Sequence, residues 1–367
     1  MTTDFWWGHP YRRTIEQKKL LNRLIGMAPS YANLIGLLLS LLVIPVWLTP
    51  ARAVSRDMED RPLQVDIGTY AEDTNALLNV VRLTESVRTF GGRLANTPIW
   101  LYVPDAVAVE VLSDTTTTQK LEASGVVIRT VKAPVEVGRF FYGYKPFAAA
   151  EAESLAAGEK VILIWMDDDT VVLSEPLQLL LDSAHVFAYR PVMHNRSGSL
   201  YDQPPSPYWS RILELLSVSD NLLFPMISVA DRQKIRTYFN CGLIAVRPER
   251  GILARWAEDF LKLSRDSQLV EMCRQDATKG IFLHQTALVG AVLHNASRNE
   301  LVELNDRYNY PAFFHKQFAA EKPFDDLTNV VTVRTEVLLK NAGPDWATEL
   351  KGPATILEWL RTHLAEK

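Results

Sequence analysis

With 367 residues, 47% of them hydrophobic and 22% charged, the chain has a globular composition, and the roughly 310 residues beyond its N-terminal segment suffice for one large α/β domain or two small ones. A net charge of -4, with no strongly basic stripe after the first thirty residues, argues against a nucleic-acid binder, because phosphate-backbone binding relies on clustered Lys and Arg. Two cysteines, Cys241 and Cys273, exclude a disulfide scaffold and a cysteine zinc site; they leave one bridge or, as the favoured reading, two buried thiols.

The first element in chain order is Tyr31 to Leu48, nearly continuous apolar sequence of about the minimum length that crosses a bilayer core. Arg12, Arg13, Lys18, Lys19 and Arg23 precede it against Asp4 and Glu16, whereas basic and acidic residues mix after it. The positive-inside bias predicts residues 1–30 as a cytoplasmic basic tail and 31–48 as the transmembrane signal-anchor of a single-pass type II membrane protein. Residues 49–62 then form a stem, and residues 63–367 a domain on the lumenal or extracytoplasmic side. Ala51-Arg52-Ala53 resembles a small-x-small cleavage site, so a cleaved signal peptide and a secreted domain is the competing reading. On either reading, Asn195-Arg196-Ser197 and Asn295-Ala296-Ser297 are glycosylation acceptor tripeptides.

Within the domain, Leu63 to Tyr70 alternates like a strand, and Asn75 to Phe90 carries apolar residues at helical spacing before Gly91-Gly92 ends it. Pro98 to Pro104 reads as a second strand, Ala106 to Ser124 as one helix, Gly125 to Val131 as a third strand and Lys145 to Leu155 as an Ala-rich helix. Strands alternating with helices at this spacing imply parallel βαβ units and a Rossmann-like α/β core with a mostly parallel sheet flanked by helices. No GxGxxG or GxxxxGK[ST] stands at a strand-to-helix turn, so a glycine-rich dinucleotide or P-loop site has no support.

The apolar run Val161 to Met166 then ends in Asp167-Asp168-Asp169, followed by Thr170-Val171-Val172-Leu173. Such a run reads as a central strand, so the carboxylates emerge at its carboxyl end, where open α/β sheets bind ligands. Like charges packed there require a cation or hydrogen-bond donors, and paired carboxylates holding a divalent ion against phosphate oxygens are one solution. A solvated acidic turn is the alternative.

Downstream, Leu177 to Leu181 is a short predicted helix and His185 to Arg190 a strand. His194 to Ser210, rich in Pro, Ser, Asn and Tyr, reads as a long loop. Its Tyr201, together with Tyr208 and Trp209, could stack on a sugar ring or simply pin the loop. Tyr238 to Pro248 is the next strong strand, followed by an amphipathic helix from Gly251 to Leu263 and a further helix around His284 to Val289.

This order of parts resembles a GT-A fold glycosyltransferase, and is most similar to family 8 enzymes such as glycogenin and the bacterial lipopolysaccharide glycosyltransferases. The resemblance runs from about Gln64 to Pro311. It rests on Trp165 to Leu173, similar to the family's hhDxDhhh motif, and on Phe239-Asn240-Cys241-Gly242-Leu243-Ile244, similar to its FNSGhh strand. It implies Asp167 and Asp169 as ligands of Mn²⁺ or Mg²⁺, with Asp168 beside them at the donor, and a UDP- or GDP-sugar as the substrate that gives its sugar to a glycan, lipid or protein acceptor. It implies a base pocket at Thr69 and Tyr70, although a Tyr ending a strand also serves packing. Lys145 could meet a phosphate or simply begin a solvated helix. Gln285 matches the second residue of a family DQ pair beside the transferred sugar, with His284 in place of the Asp, and these two with Asn240 are the candidate catalytic residues. The family's C-terminal HxxGxxKPW motif, whose His is a third metal ligand, is missing: Asn341 to Trp346 echoes it without the His, and His315 is a substitute candidate. Retaining stereochemistry is implied.

Two other functions fit parts of the chain. Asp167-Asp168-Asp169-Thr170-Val171 also satisfies the DxDx[TV] motif of haloacid-dehalogenase-type phosphatases, with Asp325-Asp326 as the nearest downstream acidic pair. The missing His and the His284 replacement also suit a membrane-tethered carbohydrate-binding scaffold that has lost turnover.

Overall fold

The computed structural model describes residues 64–158, 162–312, 326–335 and 350–364. The predicted tail, apolar segment and stem lie outside these residues, as do His315, Asp325 and Asn341 to Trp346. Among the described residues, no helix is long and apolar enough to cross a membrane.

The chain begins with β1 (Val65–Tyr70), α1 (Thr74–Phe90), β2 (Ile99–Pro104), α2 (Ala108–Val111), α3 (Thr115–Ala123), β3 (Val126–Val131) and α4 (Lys145–Ala156). Then come β4 (Ile162–Met166), β5 (Thr170–Val172), β6 (Phe187–Pro191), α5 (Pro207–Leu216), β7 (Met226–Ile227) and β8 (Lys234–Ile235). β9 (Phe239–Val246), α6 (Ile252–Arg265), α7 (Ser267–Gln275), α8 (Ala277–Asn295), β10 (Leu301–Glu303), β11 (Tyr310–Pro311), β12 (Thr332–Arg334) and α9 (Ala354–Leu364) complete it.

Seven strands form one sheet in the order β10-β6-β9-β4-β1-β2-β3. All run in one direction except β9, which pairs antiparallel with both β4 and β6, so the sheet is mixed but mostly parallel, as expected. The period of two along β4 divides the interior. Leu163 and Trp165 join the core that holds α4, α6 and α8, while Ile162, Ile164 and Met166 join the core that holds α1. Both faces are covered, which is why β4 has no polar side chain until it ends.

Small residues let α4 lie close to this sheet: Ala148, Ala149, Ala152 and Ala156 are all fully buried. Gly68 of β1, paired in register with Trp165, leaves room for the indole, since a Cβ there would stand 2.7 Å from the ring. Gly68→Ala is therefore expected to lower stability by about 1–3 kcal/mol through overpacking, read by denaturant unfolding. Glu153 of α4 accepts the backbone N–H groups of Leu253 (3.0 Å) and Ala254 (2.8 Å), capping α6 from another element. Burial pushes this carboxyl up to about 7 against the lowering effect of those N–H groups. The folded protein thus keeps a proton that the unfolded chain releases above pH 4.5, so this group's contribution to stability falls as pH rises from 4.5 to about 7. Melting temperatures across that window should fall less steeply in Glu153→Gln than in the parent.

Three local expectations are revised. The helix predicted from Ala106 to Ser124 is two helices, because the Asp114 carboxylate accepts the Thr117 N–H at 3.1 Å and starts α3 afresh. The end of the predicted loop from His194 to Ser210 is helical: Ser206 caps α5 and Pro207 occupies its first turn. The predicted helix around His284 is the middle of the 19-residue α8, preceded by α7, with Asp266 and Asp276 as their caps. Cys241 and Cys273 are buried free thiols.

Candidate active site

The three aspartates stand where β4 ends, between β9 and β12. Asp167 N–H donates to the Gly242 carbonyl at 2.8 Å, and Thr170 N–H returns to the Asp167 carbonyl at 3.0 Å, so the chain reverses around the carboxylates. β5 then pairs antiparallel with β12 in the register Thr170 to Arg334, which brings the Arg334 side chain to the cluster.

Two protein cations meet the carboxylates. Lys145, the first residue of α4 and 2% exposed, pairs with Asp167 Oδ1; its ammonium lies 3.4 Å from Cys241 Sγ and 5.5 Å from the centre of the Tyr142 ring. Arg334 grips Asp169 with Nε at 2.6 Å from Oδ1 and Nη2 at 2.9 Å from Oδ2, and its Nη1 stands 3.1 Å from Asp167 Oδ2. Burial would lower the Lys145 ammonium, but Asp167 overcomes it and the pKa is raised. Burial would likewise raise Asp167, but Lys145 and Arg334 together hold it below the usual carboxylate range. Among the described residues no ion pair reaches Asp168, and Arg334 lowers its pKa less than its surroundings raise it. Burial and the neighbouring Asp169 push it up to about 8, against the 2.8 Å hydrogen bond that it accepts from Asn79 Nδ2.

β9 supplies the opposite wall. Asn240 Oδ1 accepts the Gly242 N–H at 2.8 Å and Asn309 Nδ2 at 3.1 Å. Gly242 is required by its surroundings, because a Cβ there would run into the Arg334 guanidinium and stand 2.8 Å from Asp167 Oδ2. Gly242→Ala should therefore displace Arg334, and it is expected to cut turnover by about 100-fold, the scale of losing a positioned charge at a reacting group. Nucleotide-release kinetics alongside far-UV circular dichroism would separate this from unfolding.

Gln285 and His284 of α8 lie behind this strand. Gln285 Oε1 accepts the Cys241 N–H at 3.2 Å, and His284 Nε2 is 3.4 Å from Cys241 Sγ. The His284 carbonyl accepts Trp256 Nε1 at 2.6 Å, and burial, with help from Lys145, brings the imidazole down to about 3, so it is neutral near pH 7. Thr69 is fully buried in β1, opposite Leu101, and its hydroxyl has no hydrogen-bond partner among the described residues. Tyr70, in the same strand end, feels Asp168 as well as Glu72 and Tyr144, and burial raises its hydroxyl far above its ordinary value. The cluster thus brings together Asp167, Asp168, Asp169, Lys145, Asn240, His284 and Gln285, with Tyr70 beside Asp168.

Tyr208 and Trp209 do not form a sugar platform. They are 2% and 1% exposed in the core, where Trp209 Nε1 donates to the Ser197 carbonyl at 2.7 Å and its ring packs edge-on against Tyr238. Tyr201 instead lies under the Lys234 ammonium, 5.0 Å from its ring centre. Asp326 accepts the Thr328 N–H at 2.8 Å in a local turn, and no hydrogen bond or ion pair among the described residues joins it to Asp167.

Arg334, Asn79 and Asn309 escaped the sequence reading. No motif marks the asparagines, whose partners are 89 and 69 residues away in the chain. The β-branched run Val330-Val331-Thr332-Val333 was a usable signal for the strand that carries Arg334.

A divalent ion held by Asp167 and Asp169 needs their oxygens as ligands. Each of the four lies against a Lys145 or Arg334 nitrogen, so the carboxylates as arranged do not fit a resident metal ion.

The Rhodobacterales glycosyltransferase domain model matches residues 71–296, more than half of the chain. No curated protein matches it. Among solved structures, the galactosyltransferase LgtC in complex with donor and acceptor sugar analogs is 16% identical, with a TM-score of 0.39, over 82% of this chain and 95% of that one. Mouse xyloside xylosyltransferase 1 is 11% identical, with a TM-score of 0.42, over 74% and 97%. The bifunctional glycosyltransferase WbbM is 12% identical, with a TM-score of 0.42, over 81% of this chain and 51% of that one.

Proposed function

Since the chain belongs to the Rhodobacterales glycosyltransferase domain family, it is a glycosyltransferase, and we propose that it transfers a sugar from a nucleotide-diphosphate donor at the Asp167–Asp169 cluster. The observation that supports this reading is the meeting of two carboxylates and two buried cations at the carboxyl end of β4, against the Asn240–Gly242 wall.

In the reaction, the bond between the sugar's anomeric carbon and the diphosphate oxygen breaks, and its electron pair stays with the diphosphate. The acceptor hydroxyl oxygen forms the new bond to that carbon, and its proton passes to the departing diphosphate oxygen. Negative charge grows on the leaving oxygen, so positive charge fixed beside it in a water-poor site lowers the barrier. Lys145 and Arg334 carry that charge, and Asp167 and Asp169 hold them in place. Gln285 and Asn240 act as positioning residues, since each fixes the backbone of β9 where it faces the carboxylates. His284, neutral and packed against Cys241, supports the same strand. The base lies at the end of β1 beside Tyr70, and the acceptor is a glycan, lipid or protein. The Mn²⁺ or Mg²⁺ of the resemblance does not enter this reading, because its ligand oxygens are already held by cations.

We further place the domain on the extracytoplasmic side of a membrane, tethered through residues 31–48, as the charge bias around that apolar segment supports. Protease protection of the domain in sealed membrane vesicles would test it; digestion from the cytoplasmic face would contradict it.

The transferase reading is tested by nucleotide release from a panel of UDP- and GDP-sugars, measured both with Mn²⁺ and with a chelator. Release of UDP or GDP from at least one donor is expected. No release with any donor under either condition would overturn it.

A further inference from the structure

We propose that Arg334 and Lys145 take the place of a divalent cation, so that the donor site works with fixed protein charges and binds no metal ion of its own. The proposal rests on the reading of this cluster as the donor site. Asp169 gives both of its oxygens to Arg334, and Asp167 gives one to Lys145 and one to Arg334.

The charge balance is the one a metal site would have. A divalent ion with two carboxylates sums to zero, and so do one ammonium and one guanidinium with the same two carboxylates. A divalent ion added to the present cluster would instead meet two cations at close range, and it would have to break a two-point Arg–carboxylate contact to reach its ligands. Burial strengthens that repulsion, since Lys145, Asp169 and Arg334 are all nearly inaccessible to water.

The third element at the cluster points the same way. The group that reaches both carboxylates from β12 is a guanidinium, which has no lone pair to give a metal, where a metal site would call for an imidazole or a carboxylate. Gly242 leaves the space that the guanidinium fills, so the wall of the site is shaped around Arg334. Arg334 lies beyond residues 71–296, so the match to the family does not assign it.

Manganese binding gives a direct test, because aqueous Mn²⁺ has an electron paramagnetic resonance signal that is lost when the ion is bound. The full chain is titrated with Mn²⁺ alone, without nucleotide, and compared with Arg334→Ala and Arg334→Met. The parent is expected to leave the Mn²⁺ signal unchanged, and at least one of the two variants, with Asp169 released, to quench it. Turnover of the parent should survive a chelator, with less than a twofold change on adding Mn²⁺. Stoichiometric Mn²⁺ binding by the parent, or turnover lost in chelator and restored by Mn²⁺, would overturn the proposal. A parent and folded variants that all leave the signal unchanged would overturn the assignment of Arg334 as the occupant. If neither variant folds, the parent's titration and chelator response still decide. Failure here leaves nucleotide release from a donor intact, whereas failure of the transferase reading removes that release and leaves the manganese titration readable.

Discussion

Asp169→Asn is expected to lower nucleotide release by about 100-fold or more, the scale of removing one pre-positioned charge interaction from a reacting site. The substitution keeps size and shape, but the amide offers one acceptor oxygen where the carboxylate offered two to Arg334. Its NH₂ then faces a guanidinium N–H, donor against donor, and the guanidinium loses both the fork that fixes it and the charge that balances it. A stability cost accompanies the kinetic one, since removing one partner of a buried ion pair costs about 3–5 kcal/mol. Nucleotide release measured on protein shown to be folded by circular dichroism would check the effect. Turnover within a fewfold of the parent would mean that Asp169 and Arg334 only hold β5 and β12 together.

Lys145→Met should have a comparable effect by a different route. Methionine fits the apolar part of the lysine's space, but Asp167 Oδ1 loses its ammonium partner in a position where little water can replace it. A loss of about 3–5 kcal/mol is expected for a carboxylate stranded in this way, with turnover falling alongside it. Denaturant unfolding measures the first and nucleotide release the second. The double variant Lys145→Met with Asp167→Leu removes both charges, and it should recover part of the stability without recovering turnover. Recovery of turnover with stability would show that the pair serves folding alone.

The sequence reading and the structure agree most closely where one local signal determines the outcome. Ile162 to Met166 could only be a strand buried on both faces, so the position of the aspartates at its carboxyl end followed from the apolar run. The Phe239 to Val246 strand was equally plain, although its antiparallel direction depends on the long route through α5, β7 and β8 and not on its own residues. Ser206-Pro207 at the head of α5 was a helix-start signal masked by the polar loop before it.

The partners of the aspartates were harder to read. Lys145 was recognisable as a cation ahead of the β4 strand, but its burial came from the closure of Tyr142, Cys241 and Asp167 around it. Arg334 lies 165 residues beyond Asp169 on a strand of three residues, and its role depends on the register of β5 with β12. The motif of the resemblance has an imidazole as its third ligand, and a guanidinium in contact with both carboxylates has no place in that motif. Tyr208 and Trp209 leave two readings open in the sequence, a sugar platform or a pin for the loop, and the α5 helix decides for packing by turning them into the core.

A crystal structure of the full chain with UDP or GDP bound would test the central claim most directly. The diphosphate is predicted at the carboxyl end of β4, between Asp167–Asp169 and the Asn240–Gly242 wall, within reach of Lys145 and Arg334. A nucleotide bound elsewhere on the sheet, with the aspartate cluster and its two cations left as they are, would contradict it.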